Sequence, residues 1–82
     1  MSVHVYFCTI EEVRPFLTEN LKLRTEEEWI TASRNGDFPP VFNINGVNLF
    51  RKSAVLKYAQ RVFGDRSDLI DQMKAAGFVP PE

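Results

Sequence analysis

The spacing of apolar residues along this chain switches between a period of two and a period near 3.6, and the switches outline its elements. Val3-His4-Val5-Tyr6-Phe7 is β-branched and aromatic, which predicts a short strand. Val13, Phe16 and Leu17 then recur at i, i+3 and i+4, the spacing of one helical face. The start of that helix is marked by Thr9-Ile10-Glu11-Glu12, a capping box in which hydroxyl and carboxylate satisfy each other's backbone amides. Pro15 falls beyond the first turn and removes a backbone hydrogen bond, so this helix is expected to be short or kinked. From Thr18 to Arg24 only Leu21 and Leu23 are apolar, alternating as in a loop or a short strand.

A second capping box, Thr25-Glu26-Glu27-Glu28, opens a helix carrying Trp29, Ile30 and Ala32. Asn35-Gly36 is expected to end it, with glycine where a left-handed residue is needed. Asp37-Phe38-Pro39-Pro40 cannot continue a helix. Val41–Ile44, then Asn45-Gly46, then Val47–Phe50 is the strongest local signal in the chain: Asn-Gly between two apolar runs predicts a tight β-hairpin. Ser53 is expected to cap a third helix with Val55, Tyr58, Ala59 and Val62 as its buried stripe and Gly64 at its close. Ser67 is expected to cap a fourth, carrying Leu69, Ile70 and Met73 and ending at Gly77, before the tail from Phe78 to Glu82. Those last apolar residues either close the core or form a protein-binding face. Core closure is favoured, because a domain of this size needs the area.

The resulting order admits two folds. Two helices, a hairpin and further helices make an α+β winged helix-turn-helix, with its core over about residues 6–64 and an extra C-terminal helix over 67–77. If Leu21–Arg24 is a strand, the same order reads β-α-β-α-β-β-α, a thioredoxin-like domain. The second fold requires a cis Pro40 and a strand at Leu21–Arg24 beside Val3–Phe7.

Composition narrows the function. The 82 residues are 44% hydrophobic and 26% charged, enough for one small soluble domain and too few for separate catalytic and substrate domains. No apolar run approaches the ~20 residues that span a bilayer, so a cytoplasmic setting without membrane contact is expected. Cys8 is the single cysteine, which excludes an internal disulfide, and a buried, unreactive thiol is expected. His4, the single histidine, lies in a predicted strand and makes a poor general base. There is no Gly-rich phosphate loop and no Ser/His/Asp set, and the carboxylates sit at helix starts, where capping accounts for them. Neither an enzyme, nor a cofactor, nor a metal site is expected.

The formal net charge of −1 conceals a division. Residues 1–32 carry three bases and six acids. Residues 33–66 carry six bases (Arg34, Arg51, Lys52, Lys57, Arg61, Arg66) against Asp37 and Asp65, and residues 67–82 return to excess acid. An anionic partner is therefore expected at the middle of the chain.

Two families resemble this stretch. Tyr6-Phe7-Cys8-Thr9-Ile10-Glu11-Glu12-Val13 resembles the opening of phage excisionases and related winged-helix proteins with a MerR-like DNA-binding core. Thr25–Trp29 through Asn35-Gly36-Asp37-Phe38-Pro39 is similar to their second helix and the turn after it. Phe38-Pro39-Pro40 through Leu49–Val55 is similar, without a gap, to the excisionase wing. The resemblance covers about residues 6–60 and departs at Thr18–Arg24, which is longer than the usual tight turn.

It implies a DNA-binding accessory factor that binds and bends duplex DNA beside a tyrosine integrase and steers excision. A small transcription regulator on the same fold is the near alternative. The protein partner would be the integrase or a second copy of the chain, and a phage origin would place the protein in a bacterial host's cytoplasm. On this reading Thr31, Ser33, Arg34 and Asn35 line the groove. Asn45 stands at the wing tip, and Arg51, Lys52 and Lys57 hold phosphates, with Arg61 one turn beyond Lys57. Glu26, Glu27 and Glu28 suit the positive end of their helix but are repelled by phosphate, so modest binding aided by neighbours is expected.

The second resemblance is to the N-terminal domain of glutathione transferases, over Pro40–Gly46 and Ser53–Gly64. It implies a thioredoxin-like module for protein association. The family's γ-glutamyl-binding pair would fall on Arg51-Lys52, so no glutathione site is implied.

Overall fold

The structure, a computed structural model, describes residues 6–78. Along the chain run β1 (Phe7–Thr9), α1 (Ile10–Leu21), α2 (Glu26–Arg34), β2 (Phe42–Ile44), β3 (Val47–Arg51), α3 (Lys52–Val62) and α4 (Ser67–Met73), then a wide turn over Lys74–Phe78. The described residues form a small α+β fold of four helices and one three-stranded antiparallel sheet in the order β1-β3-β2.

Both capping boxes form. Thr9 Oγ1 accepts the Glu12 amide at 3.2 Å while Glu12 Oε1 accepts the Thr9 amide at 3.1 Å. Thr25 and Glu28 repeat the arrangement with the same distances. The Asn-Gly turn is also as read: Asn45 and Gly46 have φ of 53° and 82°, both positive as a type I′ turn requires. At the end of α2 the Gly36 amide donates to Ser33 and the Asp37 amide to Ala32, a Schellman closure through left-handed Gly36.

Several expectations need correction. Among the described residues the first strand runs over Phe7–Thr9, two residues beyond the expected end at Phe7, in a register set by β3: Phe7 faces Arg51, Cys8 faces Phe50 and Thr9 faces Leu49. Val3, His4 and Val5 lie outside the described residues, as do residues 79–82 of the tail. The first helix is not short; it runs 12 residues through Pro15. Pro15 lies on the exposed side, where the Glu11 carbonyl it leaves unpaired can reach water.

Leu21–Arg24 forms no strand. Leu21 completes α1, and Lys22 ends it in a left-handed conformation, donating its amide to the Thr18 carbonyl at 2.7 Å. No cis peptide bond occurs among the described residues, so Pro40 is trans. Both requirements of the thioredoxin-like order are therefore unmet.

Ser53 and Ser67 do not cap their helices. The caps are Arg51 and Arg66, and neither makes a side-chain capping bond. The sheet explains the first case. Pairing holds the chain extended through Arg51, and the Lys52 amide donates to the Tyr6 carbonyl at 2.9 Å, so α3 begins two residues earlier than a Ser53 cap implies. The stripe of α3 is also rotated. Val55, Leu56, Tyr58 and Ala59 are buried, while Val62 is 47% exposed. Leu56 joins the core instead, Phe63 beyond the helix packs half-buried against it, and α3 contacts both α4 and the final turn.

Phe38 stands at the centre of the core. Its ring meets Trp29 at 5.1 Å and both Phe50 and Tyr58 at 4.9 Å, all edge to face. Leu69, Ile70, Met73 and Phe78 belong to this same core, and Phe78 meets Phe16 of α1 at 5.6 Å. The fourth helix is thus core closure rather than a free binding face.

Candidate nucleic-acid interface

The eight residues expected to meet DNA do not share one surface. On α2 they divide by helical face. Thr31 and Asn35 border a shallow hollow of about 420 Å³ whose other walls include Leu23, Glu27, Glu28 and Asp37. This side of the helix is acidic and exposed to solvent. Ser33 is half-buried, and its Oγ accepts the Val41 amide at 2.8 Å, tying the end of α2 to the chain that enters β2. Arg34 is exposed and, with Ser33, borders a different groove, of about 560 Å³, whose other walls are Ile30, Pro40, Val41, Asn43 and Asn48.

The hairpin is fastened to α2 by a link not visible in the sequence. Asn43 Nδ2 donates to Asn48 Oδ1 at 3.1 Å, and Asn48 Nδ2 donates to Glu26 Oε1 at 2.8 Å. The cross-strand pairing of Asn43 with Asn48 was the available signal, since an Asn-Gly turn fixes which residues face each other. This link leaves the wing tip in acidic company. Asn45 leads a turn whose next two residues, Gly46 and Val47, border a hollow with Glu11 and Glu26.

The basic residues lie at the other end of the hairpin and along α3. Arg51 ends β3, exposed, with its guanidinium 5.3 Å from the centre of the Phe42 ring. Lys52 follows in the first turn of α3 and is half-buried. Lys57 and Arg61 lie one turn apart on α3 and are both exposed. With Ala54 and Tyr58 they form one wall of a groove of about 350 Å³, closed opposite by Gly36, Phe38 and Pro39. The Arg61 guanidinium lies 5.8 Å from the centre of the Tyr58 ring. Burial pushes the Tyr58 phenol above its usual value; Arg61 opposes this and Asp37 adds to it. From Arg51 to Arg61 the helix axis covers about 15 Å.

Among the described residues the ion pairs are Arg14–Glu11 and Arg66–Asp68, at 2.9 and 3.3 Å. Arg66, one of the six central bases, is thereby committed to its neighbour, and it holds the Asp68 carboxyl below the usual range. Arg34, Arg51, Lys57 and Arg61 take part in neither pair.

Cys8 is fully buried, with its thiol directed at the Phe50 carbonyl at 3.5 Å. Burial, with a smaller contribution from Glu12, pushes this thiol up to about 12. Among the described residues no group of three His, Cys, Asp or Glu is placed to hold a metal ion, and no helix is long and apolar enough to cross a membrane.

Comparison with known proteins finds no matching family model, curated protein or solved structure.

Proposed function

We propose that this chain is a small winged-helix domain that binds duplex DNA as a non-enzymatic accessory factor of the excisionase type, acting beside a tyrosine integrase. The observation that carries the reading is the basic set Arg51, Lys57 and Arg61 on the third helix and the strand leading into it, outside both ion pairs. A set about 15 Å long matches a run of several phosphates on one strand. The element order, with two capped helices before a hairpin and a third strand closing the sheet, accords with the winged-helix reading.

The mode differs from helix insertion. One exposed side of α2 carries Glu27 and Glu28, with Asp37 close by, and carboxylates there are repelled by the phosphates flanking a major groove. Contact through α3 and the sheet end of the hairpin, with Arg34 as a further cation, avoids that conflict. Binding of this kind positions DNA without reading much sequence, which suits a factor that works next to a sequence-reading recombinase.

The test is fluorescence anisotropy with a random 20-base-pair duplex across a salt series. Binding at low salt is expected, and the Arg51→Ala/Lys57→Ala/Arg61→Ala variant should flatten the slope of log affinity against log salt by about 2 to 3. No binding at about 50 mM salt, or an unchanged slope, rejects the reading.

A further inference from the structure

The sheet has a face that the core does not use. Side chains directly opposite in an antiparallel ladder share a face, and successive ones alternate. Cys8, Phe50, Asn43 and Asn48 therefore point one way, with Cys8 and Phe50 in the core. Phe7, Arg51, Phe42, Leu49, Ile44 and Val47 point the other way. Leu49 is buried there, but it lies outside the main core cluster. Phe42 is 36% exposed and Val47 48%. The Phe7 and Phe42 rings meet edge to face at 5.9 Å and 80°, and the Arg51 guanidinium lies over Phe42.

Size and charge restrict what can occupy this face. Three strands about 4.8 Å apart and three to five residues long offer on the order of 150 Å². A stable protein partner needs roughly 800 Å² on each side. One nucleobase with its phosphate fits the smaller figure. Arg51 is the one charged side chain that the three strands contribute, which selects an anionic ligand. The Glu12 carboxylate, held on the amide and hydroxyl of Thr9, sits at the far end of β1 from Arg51's partner Phe7.

We propose that this face is a stacking platform for an unpaired base of single-stranded nucleic acid. The base stacks on Phe42 in the position Arg51 holds in the free protein, against the edge of Phe7, and Arg51 moves to the adjoining phosphate. Aromatic rings on a sheet beside an arginine suit this role, because every base has a π-face and every nucleotide a phosphate. The platform would hold a nucleotide exposed where duplex DNA is opened or sharply bent. It shares Arg51 with the duplex reading and otherwise stands apart from it.

The experiment measures anisotropy of a labelled twelve-residue oligothymidylate, an abasic strand of the same length and a duplex, each with the full chain and with Phe42→Leu. Trp29 emission monitors folding of the variant. The oligothymidylate is expected to bind several-fold more tightly than the abasic strand. Phe42→Leu should weaken it about fivefold or more and leave duplex affinity within about twofold. Equal binding of the abasic strand, or no loss in Phe42→Leu, overturns the proposal. So does a concentration-dependent dimer that Phe42→Leu abolishes without any single-strand binding. Failure of duplex binding alone rejects the function proposed above and leaves the platform standing.

Discussion

Cys8 shows how the interior governs chemistry at a single residue. Its thiol is fully enclosed and pushed up to about 12, chiefly by burial and secondarily by Glu12. At pH 8 it should resist alkylation by iodoacetamide in the native protein and react quickly in denaturant, as mass spectrometry of timed quenches would show. Because the folded value lies above the ordinary 9, the thiol's contribution to stability is complete below pH 9 and is lost as pH rises from 9 towards 12. Urea midpoints should therefore fall over that alkaline window, and Cys8→Ala should remove this part of the fall. The sequence already indicated an inert thiol, since an isolated cysteine next to strand residues packs as a small apolar group. What it did not indicate was the enclosure by Phe50, which lies 42 positions away.

Among the elements, the helices were read from their first turns, and the two that carry complete capping boxes were read best. Thr25→Ala removes the acceptor for the Glu28 amide and should cost about 1 kcal/mol in chemical denaturation. Pro15 gives the opposite expectation. It sits inside a 12-residue helix that continues regardless, so Pro15→Ala restores a bond to the Glu11 carbonyl. Less a smaller loss from the freer unfolded chain, the gain should be about 2 kcal/mol, read as a higher urea midpoint. The length of α1 was not legible because the penalty for proline depends on whether the freed carbonyl meets water, which is a matter of which side faces out. The start of α3 was misplaced for a related reason. A serine ahead of an apolar stripe is a local signal, whereas the extended path through Arg51 is imposed by pairing with residues near the other end of the chain.

At the scale of the whole molecule, the first helix meets the final turn through Phe16 and Phe78, and α4 supplies Leu69, Ile70 and Met73 to the same core as β1 and α2. Met73 is fully buried, so Met73→Ala should cost about 2–5 kcal/mol, a large part of the stability of so small a domain. Thermal unfolding followed by Trp29 emission would read this directly. An unchanged melting temperature would mean that α4 is dispensable. Charge is likewise arranged at this scale. Acids occupy the outer side of α2 and the surroundings of the wing tip, while exposed bases occupy α3 and the sheet end of the hairpin.

Some properties were determined by the sequence alone, because they depend on neighbours a few residues apart. These are the capping boxes at Thr9 and Thr25, the left-handed glycine ending α2, the Asn-Gly hairpin and the concentration of bases between residues 33 and 66. The tertiary structure alone decided how those pieces face one another. That Ser33 fastens α2 to the hairpin depends on the Val41 amide arriving within 2.8 Å of its hydroxyl. Whether Thr31 and Arg34 share a surface depends on how α2 is rotated against the hairpin, which the Asn43–Asn48–Glu26 link helps to fix. Which aromatic residues fill the core and which lie on the open sheet face depends on strand register, where a shift of one residue exchanges the two faces.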